Sequence, residues 1–227
     1  MFEFTIREND FLNGFLDLLS DYVNKSYKFT MSYLTSPLLS DVRESERLVL
    51  LVVNKSVFQN MYSFIKLNDS NMQFASFSCL ETAVNSMRLY NVLATNPDYM
   101  HEYITGGNFS LEVCENEISE KQKKFKKGEE EFSLREFATG LGKCNSFELK
   151  NAAVESQLVD GNIFLGLSCG NELGEDLQDE VRKSMIGAYL SLSKHNKMFF
   201  NGGIDDTLEE LEDKLYAKFL EYIRKFS

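Results

Sequence analysis

The residues best suited to chemistry lie between positions 73 and 105. Glu81, Arg88 and His101 supply a carboxylate, a guanidinium and an imidazole, groups from which an acid–base site for phosphodiester cleavage can be assembled. If this stretch is helical and Phe77 is set at zero, an advance of about 100° per residue places Leu80, Val84 and Met87 within about 80° on one side. The same rule places Arg88 at about 20°, Glu81 at about 40° and Asn91 at about −40°, inside the apolar stripe. A charge on a core-facing stripe needs a partner, because burial without one costs several kcal/mol. Two arrangements meet that need. One is an interhelical ion-pair network with Glu44, Arg47 and Lys55, which share a face with Leu51, Phe58 and Tyr62 on the preceding helix. The other is a polar pocket between the two helices that serves a ligand or a reaction. The network is the simpler expectation, and Glu81, Arg88 and His101 stand as the only catalytic nominees.

The remaining chemistry-bearing residues point elsewhere. His195 sits in Lys194-His195-Asn196-Lys197 near an expected helix C-terminus, where the dipole favours a cation in any case. Cys79, Cys114, Cys144 and Cys169 are spaced by 35, 30 and 25 residues, with no Cys-x-x-Cys pair and no nearby histidine. That spacing fits reduced thiols rather than a zinc site. No nucleophile elbow, phosphate-binding loop or His-Glu-x-x-His motif occurs, and Gly140-Leu141-Gly142 lacks the strand and third glycine of a dinucleotide fingerprint. No metal and no cofactor is expected.

The chain has 227 residues, with 24 Lys and Arg against 35 Asp and Glu, a formal net charge of −11. A surface of that sign does not suit wholesale nucleic-acid binding. The concentrated positive charge is Lys121, Lys123, Lys124, Lys126 and Lys127, followed by Glu129, Glu130 and Glu131. It reads as a solvated face, and is the one place where phosphate could be met. The acids at 205–210 and 175–180 precede bases at the ends of the same stretches, as helix dipoles favour. The N-terminus does not resemble a signal peptide and no stretch reads as a membrane span, so a soluble, cytoplasmic protein is expected.

With 2 Pro, 13 Gly, 19 Phe and no Trp, the composition disfavours a turn-rich β fold. The periodicity predicts an all-α bundle of about five long helices plus short ones, in a single domain over 1–227. Long helices are expected over about 11–28, 41–67, 70–95, 175–200 and from 205 or 206 to the end. The last carries a stripe of Leu208, Leu211, Leu215, Phe219, Tyr222 and Phe226. The run RLVLLVV at 47–53 continues into helically spaced Phe58, Met61 and Ile65, so it reads as helix. Asn96-Pro97 stops the third helix, and a short helix over 98–105 ends at Gly106-Gly107. Ser110 starts another. Short helices are expected over 133–139 and 146–158, and the region 106–142 is an irregular excursion or small subdomain. One extended segment is expected at 163–167.

The pattern Glu81, then Arg88-Leu89-Tyr90, then Asn96-Pro97-Asp98-Tyr99 resembles the central helix of helical bacterial proteins related to the HEPN superfamily, over residues 40–105 and 155–200. Many of those belong to abortive-infection or toxin–antitoxin systems. The resemblance implies the bundle and a place in bacterial or phage conflict. It implies no catalytic residue, because catalytic HEPN ribonucleases carry an Arg followed four to six residues later by His. Here Arg88 precedes His101, and Arg182 precedes His195, by thirteen.

The expected function is therefore non-catalytic binding of another macromolecule, a protein partner or a second copy. The alternatives are a divergent HEPN-like nuclease using Glu81, Arg88 and His101, and an acidic decoy of nucleic acid. Their discriminators are an apolar surface patch, an unpartnered Glu81–Arg88 pocket and a single large acidic patch, respectively.

Overall fold

Seven helices carry nearly all of the residues that the computed structural model describes, 10–37, 42–70, 72–117, 175–199 and 206–226, and no strand occurs among them. They are α1 (Asp10–Leu34), α2 (Glu44–Asp69), α3 (Gln73–Thr95), α4 (Pro97–Thr105), α5 (111–117), α6 (Glu175–Lys197) and α7 (Asp206–Phe226). The fold is all-α, with the five long helices that the apolar periodicity predicts. The expected extended segment at 163–167, the short helices at 133–139 and 146–158, the part of the excursion beyond residue 117 and the lysine run at 121–127 lie outside the described residues.

Local chemistry sets both ends of α4 and the C-terminal end of α2. Asn96 is extended and its side chain accepts from the Asp98 amide at 3.0 Å, while Pro97 takes the first helical position of α4. Gly106, at φ 71°, ends α4 in the left-handed region, and the Gly107 amide closes the turn onto the Glu102 carbonyl at 3.0 Å. Three boundaries differ from the sequence expectation. α1 runs on to Leu34 instead of ending near Lys28, because Thr30 is buried against α2 and Leu34 lies in the core. Ser70 closes α2 rather than opening α3: its amide and hydroxyl both bond the Lys66 carbonyl. α2 begins at Glu44, after Arg43, and places Glu44 and Glu46 in its first turn.

The long helices share one apolar core. Phe15, Leu19 and Tyr22 of α1 meet Val57 and Phe64 of α2, Phe77 and Ala83 of α3, Met185 and Leu192 of α6, and Leu208, Leu215 and Phe219 of α7. Leu208, Leu211, Leu215 and Phe219 are all buried, as the stripe on α7 predicts. α2 and α3 form an antiparallel hairpin, joined midway by a 3.0 Å hydrogen bond between Ser56 and Ser86. A second cluster closes one end of the bundle. It gathers Leu34, Val53, Tyr90, Leu93, Met100 and Phe199. Against that end lies α5, whose Cys114 packs on Val92 and Tyr99.

Candidate functional site

Arg88 and Glu81 are exposed, which overturns the expectation that they face the core. The reason lies in the origin of the helical wheel. Among the described side chains of α3, the buried ones are Ser76, Phe77, Leu80, Ala83, Met87, Tyr90, Val92 and Leu93. At about 100° per residue most of them form an arc centred near Ala83 and Met87, so Phe77 marks its edge. Arg88 and Glu81 fall just beyond that edge. Arg88 does not turn to Glu44, Arg47 or Lys55. Its Nε donates to Glu115 Oε1 at 2.8 Å, its second nitrogen meets Glu115 Oε2, and its third donates to Asn85 Oδ1 at 3.0 Å. The hydrogen bonds to Glu115 raise the guanidinium pKa further and keep it charged. This bidentate pair straps α5 onto α3. On the other side of α5, the Tyr99 hydroxyl donates to the Glu117 carboxylate. His101 is exposed on α4. Arg88 is thus committed to a strap between helices.

The polar chemistry of the core gathers instead where α1, α2 and α6 meet. His195 is 2% exposed, and its Nε2 lies 2.9 Å from Asn54 Oδ1. The Asn54 amide nitrogen donates to Thr30 Oγ1 at 3.0 Å, which fixes Oδ1 as the acceptor and places the imidazole proton on Nε2. Nδ1 has no hydrogen-bond partner, and the rings of Tyr90, Phe199 and Phe58 surround the imidazole at centroid distances of 5.0, 5.4 and 6.2 Å. Burial pushes the His195 pKa down from 6.5 to about 3, so the ring is neutral. The charged histidine expected at a helix end is therefore corrected: Lys194 and Lys197 are exposed, and His195 points inward.

The next residue extends this layer. Asn196 donates to the Tyr22 hydroxyl at 3.0 Å and to Ser26 Oγ at 2.7 Å. Ser193 donates to the Glu212 carboxylate, Tyr189 to the Glu212 carbonyl at 3.3 Å, and Lys197 lies 3.5 Å from Glu212. Burial raises the Tyr22, Tyr90 and Tyr189 hydroxyl pKa values well above the usual tyrosine range. Sequence reasoning misses this layer. Its signal is a column of Tyr22, Ser26 and Thr30 at four-residue spacing, and one Asn inside the apolar run 48–58.

Among the described residues, this layer pairs His195 with no nucleophile. The proton on His195 points at an amide oxygen, and its other ring nitrogen, Nδ1, makes no hydrogen bond to a hydroxyl or thiol that it could activate. Cys79 and Cys114 have thiol pKa values raised by burial, the opposite of an activated nucleophile. Among the described residues no group of three or more His, Cys, Asp or Glu side chains could hold a metal ion. What the layer does is fix helix register. Each of its buried amides reaches across to another helix.

Two surface features remain. Among the described residues, the acids of α7 fill its first two turns and its bases follow: Lys214 pairs back to Glu210 at 2.7 Å, and Lys218 with Glu221 at 3.5 Å. Large apolar side chains are exposed at the end of the bundle closed by the second cluster. They are Leu48 (54%) and Val52 (67%) of α2, Tyr103 and Ile104 of α4, and Val113 (55%) of α5, five residues at this end, while Tyr27, Tyr62, Met72 and Tyr216 are exposed elsewhere. α2 is also long and apolar enough to cross a membrane, by length and composition alone, although it carries Asn54 and Lys55 at its centre. No family model matches the chain, and no curated protein or solved structure matches it.

Proposed function

We propose that this chain is a non-catalytic helical protein that works by binding another macromolecule through the apolar end of its bundle. The observation that carries the reading is the exposure of Leu48, Val52, Tyr103, Ile104 and Val113 at one end, where Val53, Met100 and Phe109 on or beside the same elements are drawn into a core. Side chains of this size left in water beside a core mark a contact surface. The engagement of Arg88 with Glu115 supports the same reading, since it removes the guanidinium from the catalytic set nominated with Glu81 and His101. Glu210, Glu212 and Glu221 of α7 are each paired with a lysine, which weighs against an acidic decoy, since that requires a continuous field of one sign. A role in bacterial or phage conflict follows from the resemblance to HEPN-related bundles, and the binding reading stands without it.

The test sets binding against catalysis. The purified chain is incubated with total RNA and with plasmid DNA, beside the Arg88→Ala and His101→Ala variants. The reading predicts no cleavage that depends on either residue. Cleavage by the wild type that disappears in either variant would reverse it in favour of the nuclease.

A further inference from the structure

We infer that the outward stripe of α2 pairs with the same stripe of a second copy of this chain, the two helices running antiparallel. This rests on the reading of the protein as a macromolecule binder and names one partner for it. Among the described residues α2 alone is long and apolar enough to cross a membrane, yet only 39% of that apolar window is buried. Its outward residues recur at helical spacing: Leu48, Val52, Lys55, Gln59, Tyr62 and Lys66 are all exposed. The stripe is self-complementary. Its first turn is acidic, with Glu44 exposed beside Leu48, and its last turn is basic, with Lys66 lying 5.7 Å over the Tyr62 ring.

An isologous interface demands that a surface fit itself under a two-fold rotation. With the axis midway between Lys55 and Gln59, Val52 of one copy faces Tyr62 of the other. Leu48 then faces Lys66, whose ammonium comes within reach of Glu44. Every apolar side chain on the stripe is covered, and each acidic end meets a basic one. A parallel arrangement would put Lys66 against Lys66 and Glu44 against Glu44. An anionic membrane is the weaker occupant, since the chain carries a net charge of −11 and the stripe begins with glutamates. One helix face covers less than a standard interface, so the dimer should be a weak one, in dynamic exchange with monomer.

The experiment is sedimentation equilibrium of the full chain, with circular dichroism to verify the fold of each variant. The wild type should approach twice 26.1 kDa as its concentration rises to about 100 μM. Val52→Asp, at a position already exposed, should keep the helical spectrum and weaken association on the order of a hundredfold. Glu44→Lys and Lys66→Glu should each weaken it roughly three- to tenfold. Combining the two reversals should restore association, because the ends of the stripe then carry exchanged but still opposite charges. A folded chain that stays monomeric throughout overturns the inference. So does a dimer indifferent to Val52→Asp, or a pair of charge reversals that add rather than cancel. Flotation with vesicles containing a quarter phosphatidylserine, abolished by Val52→Asp, would overturn it in favour of a lipid surface. Failure here leaves the broader binding reading standing if Ile104 and Val113 still contact another macromolecule.

Discussion

His195 and Asn54, 141 residues apart in the chain, meet in the core with the imidazole Nε2 donating to the amide oxygen at 2.9 Å. That bond joins α6 to α2, and the same asparagine holds α1 through Thr30. One buried amide therefore ties three helices, and the histidine beside it is neutral.

Neutrality has a pH signature. The unfolded chain protonates His195 near 6.5, whereas the folded chain resists protonation down to about 3. Above 6.5 neither state binds the proton and the contribution to stability is complete. As pH falls below 6.5 only the unfolded state takes up a proton, so folding weakens by up to about 1.4 kcal/mol per unit until the folded pKa is reached. Urea denaturation midpoints between pH 7 and pH 4.5 should fall accordingly. At the other limit, stability should decline above pH ~10, where unfolded tyrosines ionise and buried Tyr22, Tyr90 and Tyr189 resist. Unchanged midpoints from pH 7 to pH 4.5 would mean that His195 is accessible to protons.

Replacing the pair separates packing from hydrogen bonding. His195→Phe keeps a ring among Phe58, Tyr90 and Phe199 but strands the Asn54 oxygen, which should cost about 1–3 kcal/mol. Adding Asn54→Leu removes the stranded acceptor and should recover most of that loss. A double variant as unstable as the sum of the two single ones would show that the bond is not the coupling between α2 and α6. The single variant should also flatten the acid limb described above.

Sequence and structure agree best where periodicity is strong and ends are marked by chemistry. The stripe of Leu208, Leu211, Leu215 and Phe219 and the Asn96-Pro97 to Gly106 helix are readable because each depends on its neighbours within one or two turns. Ser70 is ambiguous in sequence, since a serine can close one helix or open the next, and only the Lys66 carbonyl decides. The polar residues show the harder limit. A helical wheel orders Glu81 and Arg88 relative to Phe77, but it does not say where the centre of the buried arc falls. That depends on which helices pack alongside. For His195, its neighbours Lys194 and Lys197 suggest solvent, and only the approach of α2 reveals the inward face.

Arg88 provides a direct check of that correction. A buried, paired arginine would cost several kcal/mol to lose. The strap to Glu115 is half-exposed, so Arg88→Met should change global stability by only about 0–1 kcal/mol. Its effect should be local, with faster amide hydrogen exchange in α5 (111–117) and little change in α3. A global loss above ~3 kcal/mol would restore the buried network.

The C-terminal helix carries a complementary expectation. Leu215 and Phe219 are 0% and 2% exposed and contact the main core, so Leu215→Ala or Phe219→Ala should cost about 2–5 kcal/mol. Thermal unfolding measures it, and a loss below about 0.5 kcal/mol would mean that α7 is not integral to the bundle.

Contact at the apolar end of the bundle can be read in place, by a photo-crosslinking amino acid at Val52, Ile104 or Val113 in the intact chain in cells, with Glu209 and Glu221 of α7 as controls. Discrete crosslinked species, to a second copy or to another macromolecule, are expected from at least one of the three apolar positions and from neither control. Crosslinks absent from all three, or equally abundant from the α7 positions, would contradict that contact.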